Sequence, residues 1–105
     1  MEKEIKIHNI SKNLYNNLSK LKNWEETKII KNQAVKAHKH KFDAMYFTKG
    51  IKTLYSNGKK IKLPDFAAVY IPIGQEHGWS GTNKELGIVG HFHSGHGIHK
   101  IISEY

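Results

Sequence analysis

The sequence contains no cysteine, which excludes disulfides and thiolate metal ligands and fits a cytoplasmic location. It has no long hydrophobic run. The longest, Phe66 to Ile71, is far too short to cross a membrane. The opening Met1-Glu2-Lys3-Glu4 is mixed in charge, unlike the start of a signal peptide, so no membrane partner is expected. A concentrated block of positive charge is missing as well. Lys plus Arg number 17 against 9 Asp plus Glu, a formal charge of +8. Yet the lysines are dispersed and alternate with apolar residues, as in Lys59-Lys60-Ile61-Lys62-Leu63. That is the pattern of solvent-facing strand positions, and nucleic acid is not the expected partner.

What is present is a series of short alternating segments. The 105 residues carry no internal repeat and no low-complexity linker, so one domain spanning 1–105 is expected. Glu4 to Ile10 reads as an opening strand. Ser11 caps a short helix or turn carrying Leu14, Leu18 and Leu21 at helical spacing. Strands are expected at Trp24 to Lys31, Val35 to His40, Ala44 to Thr48, Ile51 to Tyr55 and Lys59 to Leu63. Further strands are expected at Phe66 to Ile71, Glu76 to Ser80, Leu86 to His93 and His99 to Tyr105. Asn57-Gly58 between two alternating runs predicts a hairpin, because a type I′ turn needs positive φ at both central residues. Turns are also expected at Pro64-Asp65 and Gly81-Thr82-Asn83. Many short strands at such spacing predict an all-β, antiparallel sandwich or barrel.

The chemistry concentrates in histidine. His38-Lys39-His40 lies on a predicted strand, where alternate side chains share a face. His77 follows a turn built on Pro72 and Gly74. Three imidazoles converging from two strands make a candidate site for a divalent transition metal: Zn, Fe, Ni, Cu or Mn. The alternative is that His38 and His40 are polar surface residues among lysines. His91-Phe92-His93 is a second His-x-His, and either ring is a candidate fourth ligand or acid/base group. His96 and His99 are expected to be exposed and inert. Trp79 shares the face of His77 on a regular strand and, with Tyr46, is a candidate to line a pocket; simple packing between sheets is the alternative. Gly90, inside a strand, marks a bulge or room for a ligand.

These pieces together resemble the cupin superfamily. The family's first motif, a His-x-His pair followed by Glu and then Gly, is matched by His38, His40 and Gly50. Its second, Pro-x-Gly-x-x-His followed by Asn, is matched by Pro72, Gly74, His77 and Asn83. Ala44 stands where the family carries its Glu ligand, with Asp43 just before it. The resemblance covers roughly 28–93, with 1–27 as an N-terminal extension. It implies an antiparallel double-stranded β-helix, or jelly-roll barrel, and a homodimer in which Glu4 to Ile10 adds to a partner's sheet edge. It also implies a small-molecule ligand, anionic or sugar-like. Three functions stay open: a metal-dependent isomerase or dioxygenase, a non-catalytic sugar sensor like the ligand-binding arms of bacterial transcription regulators, and direct nucleic-acid binding.

Overall fold

Ten elements, nine of them strands, are defined in the computed structural model, which describes residues 4–30, 34–38 (backbone only), 43–82 and 86–92. In chain order these are β1 (Lys6–Asn9), α1 (Lys12–Leu18), β2 (Trp24–Ile30), β3 (Ala34–His38), β4 (Ala44–Lys49) and β5 (Ile51–Ser56). β6 (Lys59–Lys62), β7 (Phe66–Ile71), β8 (His77–Thr82) and β9 (Leu86–Phe92) complete the order. The strands form a five-stranded sheet, β1-β7-β4-β9-β2, and a four-stranded sheet, β3-β8-β5-β6, every pairing antiparallel. The expected strand at His99 to Tyr105 lies outside the described residues. No described helix is long and apolar enough to cross a membrane.

The pairing is nested about one hairpin. β5 pairs with β6, β4 with β7, β3 with β8 and β2 with β9. At its centre Asn57 has φ 50° and Gly58 φ 79°, the two positive values that the turn requires. Apart from the central step from β5 to β6, which stays in the four-stranded sheet, the chain passes from one sheet to the other at each step from β2 to β9.

Alternation then sorts the side chains into two layers. Ile29, Ile51, Leu54, Leu63, Ala67, Val69, Ile71, Trp79 and Val89 fill the core that joins the sheets. The outer face of the five-stranded sheet is covered by α1, whose Leu14, Tyr15 and Leu18 pack on Phe47 and Ala68. Ser11 caps this helix, its side-chain oxygen accepting from Leu14 N–H at 3.0 Å. The helix ends earlier than the leucine spacing suggested. Ser19 donates its backbone N–H to the Tyr15 carbonyl at 3.0 Å and Asn23 takes φ 70°, so Leu21 falls in the turn into β2 and is exposed.

The structure bears on three further expectations. Glu4 to Ile10 does supply a strand, but β1 pairs with β7 of its own chain, from Lys6 opposite Tyr70 to Asn9 opposite Ala67. Gly90 makes room for a side chain of the protein. A Cβ there would lie 1.9 Å from Cζ2 of Trp24, whose indole covers the glycine on the α1 side. Of the turn expected at Gly81-Thr82-Asn83, Gly81, at φ 71°, and Thr82 belong to β8, and Asn83 lies outside the described residues.

Candidate functional site

β8 begins at His77, and the loop before it decides how that ring is held. Asp43 Oδ1 accepts the Ile73 backbone N–H at 2.8 Å, and Asn57 Nδ2 donates to Gln75 Oε1 at 2.8 Å. Gly74 takes φ 79°, and Gln75 N–H donates to the Pro72 carbonyl at 3.2 Å. The β7–β8 loop is thereby tied to the start of β4 and to the tip of the central hairpin. Asp43, adjacent to the vacant Glu position at Ala44, works as a brace for backbone.

His77 is fully buried, at 0% exposure. Its Nδ1 lies 3.3 Å from the Gln75 carbonyl, which can only accept, so Nδ1 carries the proton. Nε2 then holds the lone pair and faces the Tyr46 hydroxyl at 3.4 Å. Burial pushes the Tyr46 phenol above its ordinary range, keeping it neutral and able to donate. A histidine whose other ring nitrogen is fixed by a backbone carbonyl has the arrangement that metal-ligating histidines use.

Around this pair the inner faces of both sheets contribute. The Tyr46 ring meets His77 at 5.4 Å between centroids, Trp79 at 5.4 Å and His91 at 6.1 Å. Trp79 is buried in the inter-sheet core, 6.4 Å from His77. His91, on β9, sits nearer the rim, with Nε2 3.3 Å from Oε2 of Glu25 on β2. A carboxylate can only accept, so Nε2 is the ring nitrogen placed to donate to it. Tyr46, His77, Trp79 and His91 are thus brought together, from strands of both sheets. Glu25 was not foreseen: it meets His91 because Glu25 and His91 are register partners across β2 and β9.

The remaining expected ligands are placed unequally. His38 closes β3, and its backbone is the register partner of His77 after an irregularity that follows Val35. Its side chain lies outside the described residues, as do His40, His93, His96, His99 and Asn83. Among the described residues no three His, Asp or Glu side chains are close enough to hold a metal. His77, His91 and Glu25 are among those residues; the side chains of His38 and His40 are not. Ala44 is buried and offers no donor atom. The donor type fits a divalent transition ion: a neutral, oriented imidazole at His77, with a second histidine directly across the strand pair.

Comparison with family models, curated proteins and solved structures gives no significant match to this chain.

Proposed function

We propose that this chain is a small cupin-like jelly-roll protein that holds a divalent transition metal through His38, His40 and His77 and binds a small anionic or sugar-like molecule beside it. The observation that carries the reading is the register of β3 and β8, in which the first motif histidine is the direct partner of the second-motif histidine. The nested strand pairing supports the jelly-roll part of the proposal, since a long hairpin folded over on itself generates that pattern. In the bound state the metal would serve as a Lewis acid. The chain's own contribution is orientation. The Gln75 carbonyl fixes the His77 tautomer and leaves Nε2 to ligate; the Tyr46 hydroxyl, 3.4 Å from Nε2, would give up that contact to the metal and stand beside it as a donor to the bound molecule. Trp79 excludes water from beneath, and the Glu25–His91 pair marks the polar rim where a ligand would enter. Ala44 leaves the set of ligands uncharged, which favours an anionic, chelating ligand over a neutral one. The same substitution favours a binding role, as in a sugar sensor, as the second reading.

Metal analysis of the purified, tag-free protein tests this. One equivalent of metal is expected, lost on His77→Ala, kept on His96→Ala, and falling in occupancy as pH drops through the histidine range near ~6.5. Ala44→Glu should tighten the metal while lowering stability in its absence, because a buried carboxylate without a partner is costly. Stoichiometric metal in His77→Ala would move the site to the tail histidines.

A further inference from the structure

β2 is the outermost strand of the five-stranded sheet among the described strands, and its residues Glu25 to Lys28 are exposed. A sheet edge is a template for pairing with another chain, and proteins commonly guard edges with like charge. β6, one of the two edges of the other sheet, is guarded in this way: three of its four residues are lysine. β1 carries Lys6 and His8 and no acidic residue. β2 differs in carrying both signs, Glu25 and Glu26 followed by Lys28. It also ends in an exposed apolar pair, Ile30 at 60% and its register partner Leu86 at 43%.

A two-fold axis perpendicular to the sheet allows β2 to pair antiparallel with β2 of a second copy only in registers centred on a residue. Centred on Glu26, the two Glu26 carboxylates oppose each other. Centred on Lys28, the two ammonium groups do. Both registers are destabilised, since like charges directly opposite repel. Centred on Thr27, Glu26 of each copy faces Lys28 of the other, and Trp24 of each faces Ile30 of the other, all on the same side of the sheet. Glu26 keeps its hydrogen bond from Trp24 Nε1 at 3.0 Å through Oε1, and its second oxygen remains to meet the lysine. Thr27 meets Thr27 at the axis.

We propose that β2 is a homodimer interface in which two copies pair antiparallel in the register centred on Thr27, joining their five-stranded sheets into one continuous sheet. The register is selected by the alternation Trp24, Glu26, Lys28, Ile30, which is self-complementary when reversed. This interface is isologous, closes on itself and buries an edge that lacks a guard of like charge. It is independent of the metal reading and replaces Glu4 to Ile10 as the pairing segment.

The absence of cysteine makes the register directly readable. In separate single-cysteine variants of the full chain, Thr27→Cys, Glu26→Cys and Lys28→Cys each report one register, because only residues at the axis bring their Cα atoms within disulfide reach. Under mild oxidation Thr27→Cys is expected to cross-link into a dimer, and the other two are expected to stay largely uncross-linked. Sedimentation of the unmodified chain at tens of micromolar should show a dimer. Glu26→Lys and Lys28→Glu should each shift it to monomer, and the double charge swap should restore the dimer, with unchanged melting showing that all three variants fold. A monomeric wild type overturns the proposal. Cross-linking of Glu26→Cys or Lys28→Cys as readily as Thr27→Cys does so too, as does failure of the double swap to rescue.

Discussion

The Tyr15 hydroxyl lies beneath α1, buried, with no hydrogen-bond partner among the described residues. Its ring is well used, meeting Trp24 edge-on at 5.8 Å and Phe66 at 5.6 Å, so the cost falls on one oxygen. Burial first, and the nearby Glu26 carboxylate second, push the phenol up to about 12. A folded-state pKa above the unfolded value near ~10 means that the folded state resists ionisation. This contribution to stability is complete below pH ~10 and is lost as pH rises through about 12. Tyr15→Phe removes both the orphaned hydroxyl and the titration. It should stabilise the protein by ~1 kcal/mol at pH 7, and its advantage over the wild type should widen above pH ~10. Urea denaturation at neutral and alkaline pH reads both effects, with the lysines titrating alike in the two proteins. At this scale the sequence was legible where chemistry is local. Asn57-Gly58 carries its turn in its own backbone preferences, and Ser11 carries its cap. The match of Trp24 to Gly90 and of Glu25 to His91 was not legible, because each joins residues far apart in the chain through a register that no local pattern encodes.

Among the elements, the β7–β8 loop matters most to the candidate site. Pro72 and Gly74 announce a turn in the sequence, but its anchoring depends on two distant side chains, Asp43 and Asn57. Asp43 precedes Ala44, so alternation turns its side chain away from the face of Ala44, and its carboxylate accepts from the Ile73 backbone. Removing that bond should loosen the loop more than the fold. Asp43→Ala is expected to cost ~1 kcal/mol in unfolding free energy, in the range for a charged acceptor on a backbone N–H that is partly screened by solvent. The same substitution should weaken metal retention through His77, because the Gln75 carbonyl that fixes the ring belongs to the loop. Calorimetric titration with Zn measures the second effect and equilibrium denaturation the first. Asp43→Asn, whose side-chain oxygen can still accept, should restore most of both. Weakened binding in the Asp43→Ala protein with no recovery in the Asp43→Asn protein would instead point to Asp43 as a ligand.

At the level of the whole molecule, the question is whether the N-terminal segment is an appendage or part of the same cooperative unit. The sequence set 1–27 apart because the two histidine motifs lie beyond it, and motif matching does not register packing. In the structure β1 and the first half of β2 lie in the five-stranded sheet, and α1 closes its outer face. The chain carries two tryptophans, one in each layer. Trp24 belongs to the cluster under α1, against Phe47 at 6.0 Å and Phe92 at 5.4 Å. Trp79 belongs to the core between the sheets. Phe47 on β4 and Ala68 on β7 face the outer cluster, while Tyr46, Ala67 and Val69 on the same strands face the inner one, so the layers share strands and cannot part without breaking them. Trp24→Phe leaves fluorescence that reports the inner layer, and Trp79→Phe leaves fluorescence that reports the outer one. Their urea transitions, each compared with circular dichroism of the same variant, should coincide in midpoint and slope, as a single two-state domain requires. An earlier outer-layer transition in the Trp79→Phe protein, ahead of its own circular dichroism, would mean that the N-terminal layer unfolds first and that the sheets form a core without it.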